Sequence, residues 1–160
     1  MFTAERLRAL LSYDPDTGVF VYCVRTSQRT PPGTIAGSVN NEGYRNIRIG
    51  GVTYKAHRLA WLYMTGEWPA PMIDHIDGNR DNNRFINLRE ATRSQNLANS
   101  KINRSGKNLP KGIRFVGSRW RATIQCNGKR RFIGSFKSQE EAVAAYAEAA
   151  RNLFGNFARG

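Results

Sequence analysis

An aspartate beside a histidine, followed by a run of carboxylates and amides, is the most reactive stretch of this 160-residue chain: Asp74-His75-Ile76-Asp77-Gly78-Asn79, then Asn87-Leu88-Arg89, then Gln95-Asn96. Carboxylate and amide oxygens are hard donors that suit Mg²⁺ while leaving positions for water and phosphate oxygens. Successive side chains on a strand point to opposite faces. His75 can therefore stand beside a cation shared by Asp74 and Asn96 without ligating it. A neutral imidazole takes a proton from water near neutral pH, and a metal ion polarises a phosphate and stabilises a leaving oxygen. Together these are the components of phosphodiester hydrolysis. A calcium loop is the rival reading, since Asp77, Asn79 and Asp81 match its first alternating ligands. It fails because Asn82 stands where that loop needs Gly, and Leu88 where it needs Glu.

These groups need elements that bring them together. Met72–Ile76 reads as a strand, Asp77–Asn87 as a polar loop and Leu88–Ala91 as a returning strand. Thr92-Arg93-Ser94-Gln95 then matches a capping box that opens a helix. Upstream, Thr3–Leu11 reads as a helix capped by Thr3, and Asp14–Gly18 as a turn. Val19–Val24, Ile35–Val39, Tyr44–Ile49 and Val52–Ala56 are expected strands, the last two joined at Gly50-Gly51. His57–Thr65 is an apolar helix stopped by Gly66. Downstream of a Ser/Asn/Gly/Lys-rich linker, Gly112–Val116, Trp120–Cys126 and Arg130–Phe136 read as strands, with Asn127-Gly128 as a hairpin turn. Ser138-Gln139-Glu140-Glu141 opens a last helix. The expected class is α+β: small strands and helices leading into a strand–loop–strand–helix unit, then a separate three-stranded antiparallel sheet on one helix. The expected division is 1–99, a linker over 100–109, and 110–160.

Charge sharpens this division. The net charge is +13, and a strongly basic soluble protein usually meets nucleic acid. Residues 1–100 hold 12 Lys/Arg against 9 Asp/Glu, a net +3, whereas residues 101–160 hold 13 against 3, a net +10. The carboxylates gather where chemistry needs them. The only Cys and His residues are Cys23, Cys126, His57 and His75. So scattered a set predicts neither a structural zinc nor a disulfide. Without a long apolar run or a signal-peptide layout, a cytoplasmic, non-secreted protein is expected, with no membrane association and no obligatory protein partner.

The segment Asp74-His75-x-Asp77-Gly78-Asn79, Asn82-Asn83, Asn87-Leu88-Arg89 and Gln95 at a helix start, preceded by His57-Arg58-Leu59-Ala60-Trp61, resembles the ββα-metal motif of phage-type HNH homing endonucleases. The resemblance covers roughly residues 43–99, with the motif itself at about 71–99. It implies that His75 is the general base, Asp74 a metal ligand, and Asn87 the residue that braces the loop by bonding backbone near His75. It places Asn96 in the final metal position, which is His in many members. One Mg²⁺ or Mn²⁺ per site is implied. His57 carries a structural or phosphate-contacting role, and Arg89 and Arg93 are candidate phosphate contacts.

Residues 111–157 resemble the APETALA2/ethylene-response-factor DNA-binding domain. Lys111-Gly112-Ile113-Arg114, Trp120-x-Ala122-x-Ile124, Gly128-Lys129-Arg130, Phe132-Ile133-Gly134-Ser135-Phe136 and Glu140-Glu141-Ala142 carry this resemblance. Strand alternation turns Trp120, Ala122, Ile124 and Cys126 toward the helix and leaves Arg121, Thr123 and Gln125 on the open face. The resemblance maps DNA contacts to Lys111, Arg114, Thr123, Gln125, Arg130 and Phe132. Thr123 and Gln125 replace a charged pair and Phe132 replaces a Trp, so that family's GC-rich target does not carry over. The combined expectation is a metal-dependent, sequence-targeted endonuclease of double-stranded DNA, nicking as a monomer. The alternatives are a catalytically silent DNA-binding regulator and an RNA-binding protein. A silent copy has no use for Asp74, His75, Asn87 and Asn96 together. An RNA binder wants more exposed stacking aromatics than Phe132.

Overall fold

The computed structural model describes residues 2–99 and 109–158. The chain forms two compact units that divide between Glu90 and Ala91. The helix that opens at Thr92 therefore belongs with the C-terminal sheet. Apart from Leu109, the expected linker lies outside the described residues. The whole is a mixed α+β arrangement of small antiparallel sheets and four helices among those residues.

In the first unit, α1 (Ala4–Leu10) starts at Thr3, whose hydroxyl oxygen accepts from the Arg6 N–H. The chain passes directly into β1 (Leu11–Asp14), which pairs with β2 (Val19–Tyr22) around the Asp14–Gly18 turn. The sequence places Leu11 in the helix and shows no strand there. Leu11 and Tyr13 are buried while Ser12 and Asp14 are exposed, a period of two that only a strand supplies. β3 (Ser38–Val39), β4 (Arg45–Ile49) and β5 (Val52–Lys55) form a sheet in that order. The strand expected over Ile35–Val39 shrinks to two residues and a bridge from Val21 to Ile35. Gly37 interrupts it at φ +82°, so close to β4 that a Cβ would lie 2.4 Å from the Asn46 carbonyl oxygen.

α2 (Ala56–Thr65) follows β5 and buries Ala56, His57, Leu59, Ala60 and Leu62. Gly66 ends it in the left-handed conformation. β6 (Met72–His75) and β7 (Leu88–Ala91) make a two-stranded sheet, and the loop between them closes with a 3-10 turn at Phe85–Asn87. Leu7, Leu11, Phe20, Ile47, Leu59 and Leu62 are fully buried. Each contributes about 1.5–3 kcal/mol of burial to holding α1, α2 and the sheets together.

The second unit contains α3 (Arg93–Asn99), β8 (Ile113–Val116), β9 (Arg119–Cys126), β10 (Lys129–Phe136) and α4 (Gln139–Phe154). The sheet order is β10-β9-β8. Asn127 (φ 51°) and Gly128 (φ 76°) make the tight β9–β10 turn. Ser138 caps α4 by accepting from the Glu141 N–H, and the Glu141 carboxylate reaches back to the Lys137 N–H. Ala142, Tyr146, Ala150 and Phe154, spaced by four, are α4's buried residues, and they join Ile113, Ala122 and Ile124 in one core. No helix among the described residues is long and apolar enough to cross a membrane.

Candidate active site and nucleic-acid interface

β6 presents Asp74 and His75 as its last residues, and both are buried, at 4% and 5% exposure. Asp74 Oδ2 accepts from Arg89 Nε at 2.9 Å and Nη2 at 2.8 Å. Arg89 reaches it from β7, with its side chain largely covered. The sequence casts Arg89 as a phosphate contact. In the structure it pairs with Asp74, as a buried carboxylate favours a cationic partner. Asp74 Oδ2 is thus already paired with a cationic side chain.

The His75 ring lies edge-on to His57, with centroids 4.9 Å apart and planes at 85°. Its Nε2 faces the Asn83 Oδ1 at 3.5 Å. Burial pushes the His75 pKa down, and Asn83, Asp77 and Asp74 offset only part of that shift. The resting imidazole is therefore neutral near pH 7. His57 stands in the first turn of α2, also 5% exposed, and its Nδ1 has no hydrogen-bond partner. Burial, and then His75, Lys55 and Arg58, push its pKa down to about 3.

The loop after β6 is tied to its return strand by Asn87. The Asn87 Oδ1 accepts from the Asp77 N–H at 3.1 Å, and its Nδ2 donates to Asp77 Oδ1 at 3.0 Å and to the Asn82 carbonyl at 2.8 Å. Its own carbonyl accepts from the Ile76 N–H at 2.9 Å. Asn87 thus bonds the backbone two residues beyond His75. Burial raises the Asp77 carboxyl, but hydrogen bonds from Asn82, the Asn79 N–H and Asn87 outweigh it and hold the group below the usual carboxylate range.

Three supports of this loop were given no role from the sequence. Asn83 is 1% exposed, and its Nδ2 donates to the Asp81 carbonyl, which turns its Oδ1 toward His75. The Tyr13 hydroxyl donates to the Asn83 carbonyl at 2.7 Å. Gly18, at φ +76°, lies so close to the loop that a Cβ would fall 2.5 Å from the Arg84 nitrogen. The reach from residues 13 and 18 to residue 83 leaves no local signal. Tyr44 is a further neighbour: Lys55 Nζ sits 4.0 Å and Arg80 Cζ 4.8 Å from its ring centroid, and the ring lies 5.4 Å from His57 and 6.2 Å from His75.

Asn96 and Arg93 lie on α3, in the second unit, with Arg93 exposed and Asn96 half-buried. The capping box forms in full, since Gln95 N–H donates to Thr92 Oγ1 and Thr92 N–H to Gln95 Oε1. Among the described residues, no group of three or more His, Cys, Asp and Glu side chains is placed to hold a metal.

On the C-terminal sheet, cross-strand register puts Arg130 opposite Gln125, Phe132 opposite Thr123 and Arg114 opposite Arg121. Thr123, Gln125 and Arg121 share one face by alternation, so Arg114, Thr123, Gln125, Arg130 and Phe132 gather there. Arg114, Gln125, Arg130 and Phe132 are exposed, and Ala122 and Ile124 are buried on the other face. Lys111 departs from its expected place as an open cation. It is half-buried, its ammonium donates to the Leu97 and Ala98 carbonyls at the end of α3, and burial pushes its pKa down. The physical reason is that the last carbonyls of a helix lack partners and attract cations.

Residues 54–98, which carry α2, β6, the braced loop, β7 and α3, match the HNH endonuclease family. The chain is 35% identical over 105 residues to an uncharacterized HNH endonuclease of Acanthamoeba polyphaga mimivirus, covering 64% of this chain and 54% of that protein. It is 37% identical over 114 residues to Protein 3.8 of Escherichia phage T7, covering 66% of this chain and 92% of that one. It is 31% identical over 84 residues to the DNA endonuclease I-HmuI of Bacillus phage SP01, covering 49% of this chain and 45% of that enzyme. The chain spans about half the length of the mimivirus and Bacillus phage proteins. No solved structure matches it. The segment over residues 54–98 is thus similar to the HNH endonuclease family, and the chain is related to viral and phage proteins, two of them named endonucleases.

Proposed function

We propose that this chain is a divalent-metal-dependent endonuclease of double-stranded DNA, of the homing type, that nicks as a monomer in the cytoplasm of a bacterial or phage-infected cell. The observation that carries the proposal is the buried Asp74–His75 pair on β6, held by Arg89 and by the Asn87-braced loop, inside the segment that matches the HNH family. The name of the Bacillus phage relative supplies DNA as the substrate class.

In this reading Asp74 and Asn96 hold the ion, the latter on sequence spacing alone. The other donors are then water and phosphate oxygens, and so hard a set suits Mg²⁺ or Mn²⁺ better than Zn²⁺. When bound, the ion stabilises negative charge on the phosphate and the leaving oxygen. His75, kept neutral by burial, accepts a proton from the attacking water. Asn83 Oδ1 lies 3.5 Å from Nε2, and with Nε2–H turned toward it the lone pair that takes the proton is on Nδ1. Asn87 positions His75 by holding the backbone that follows it. The C-terminal sheet, read as an APETALA2-like module, lays Arg114, Thr123, Gln125, Arg130 and Phe132 against DNA, with the arginines on phosphates and Gln125 on base edges.

The test is supercoiled plasmid incubated with protein, with Mg²⁺ or with a chelator. Nicked circles that appear only with the ion are expected. Intact plasmid under every divalent ion tried, at concentrations where the DNA is bound, would leave a silent DNA-binding protein as the better reading.

A further inference from the structure

We infer that Lys111 is a positioning residue: with Ser94, it anchors α3, and through α3 the proposed metal ligand Asn96, to the C-terminal sheet. The inference rests on the reading of Asn96 given above.

α3 has only seven residues, too few to hold helical structure alone in water. Both of its ends are fastened within the second unit. Near the start, the Ser94 Oγ accepts from the Asn127 N–H at 2.9 Å and the hydroxyl donates to Asn127 Oδ1 at 3.2 Å, at the tip of the β9–β10 turn. At the finish, the Lys111 ammonium takes the Leu97 and Ala98 carbonyls, the latter at 2.9 Å. Between them Ala98 is 7% exposed and packs in the core with Ile113, Tyr146 and Phe154. Asn96 lies between these attachments.

The same helix end borders the proposed reading face, because Leu97 and Ala98 line one cleft with Lys111, Arg114, Gln125 and Arg130. The half-burial of Lys111 and its lowered pKa fit an ammonium seated against carbonyls better than one solvated for phosphate. The C-terminal unit then does two jobs. In this reading it binds DNA and also orders the helix that carries Asn96.

The full chain carrying Lys111→Met keeps the side-chain length and removes the donors. Three quantities are read: Mn²⁺ affinity by electron paramagnetic resonance, hydrogen exchange of the α3 amides, and the salt dependence of duplex binding. The expected result is Mn²⁺ binding weakened about three- to tenfold and faster α3 exchange, given the usual worth of a cation at a helix C-terminus. The salt slope should be unchanged, and Lys111→Arg should restore part of the Mn²⁺ affinity. A salt slope lowered by about one with Mn²⁺ affinity intact overturns the inference and returns Lys111 to phosphate binding. Should Lys111→Met fail to fold, Ser94→Ala provides the same test, with the Mn²⁺ and exchange changes expected in the same direction and their absence overturning the inference. Asn96→Ala separates the two layers. If it leaves Mn²⁺ affinity unchanged, the ligand assignment falls and the inference with it. If it weakens Mn²⁺ while Lys111→Met and Ser94→Ala do not, the anchoring alone is wrong.

Discussion

The loop after β6 and the open face of the β8–β10 sheet are both polar, and they use polarity in opposite ways. In the loop, Asp77, Asn82, Asn83 and Asn87 hydrogen-bond one another and their own backbone, and Asn83 and Asn87 are buried. On the sheet, Arg114, Gln125 and Arg130 are exposed. The loop has its dipoles ordered before any substrate arrives, as a centre that must hold one proton acceptor in place requires. The sheet keeps its cations in water, where, in the proposed function, they exchange counterions for phosphates. On that proposal, cutting and binding fall on surfaces of opposite hydration. Substitutions should report that difference: large, local and stability-linked in the loop, but small, additive and salt-dependent on the sheet.

The largest effect on stability at neutral pH should come from the loop brace. Asn87→Ala removes three side-chain hydrogen bonds and leaves the Asp77 N–H and the Asn82 carbonyl without that partner. A loss of about 2–3 kcal/mol in stability is expected, with cleavage falling at least tenfold while duplex affinity stays within about twofold. Chemical denaturation and a nicking assay check both. If Asn87→Ala behaves like a surface substitution, the loop is not preorganised.

Of similar size is an acid limb set by His57. Its pKa falls from 6.5 to about 3 in the folded protein, so the unfolded chain binds a proton that the folded chain refuses. Stability is full above pH 6.5 and drains as pH falls toward 3. For one such group the loss is on the order of 3 kcal/mol at pH 4. His75 adds in the same direction. His57→Phe should flatten this limb while leaving the neutral-pH stability similar, as followed by thermal unfolding across pH 4–7.

On the sheet, Arg114→Ala and Arg130→Ala should each reduce the salt slope of duplex binding by about one and weaken all sequences alike. Gln125→Ala should leave the slope unchanged and relax sequence preference. Identical behaviour of all three would make the sheet a cationic surface without base readout.

Much of this arrangement was legible in the sequence because its signals are local. The Thr92–Gln95 box, the Ser138 cap, the Asn127-Gly128 turn and the alternation along β9 each depend on neighbouring residues, and each recurs in the structure. The illegible parts depend on pairings distant in sequence. Nothing beside Arg89 says that it will meet Asp74, which is 15 positions away, or that Tyr13 will bond the carbonyl of residue 83. Lys111 reads as a DNA contact at the head of the C-terminal domain, and only the folded position of α3 gives it carbonyls to cap. β1 was hidden for a different reason. Leu7, Leu10 and Leu11 suit a helical stripe, and only the burial of Tyr13 with Leu11 shows the change of period.

The most direct test is single-turnover cleavage of bound duplex by His75→Ala beside the unaltered chain, in saturating Mg²⁺, with DNA occupancy measured in the same tubes. The account predicts a rate lower by about 10²–10⁴ at equal occupancy, the usual loss when a general base is removed. Cleavage within threefold of the unaltered chain would contradict it and move the proton acceptor away from β6.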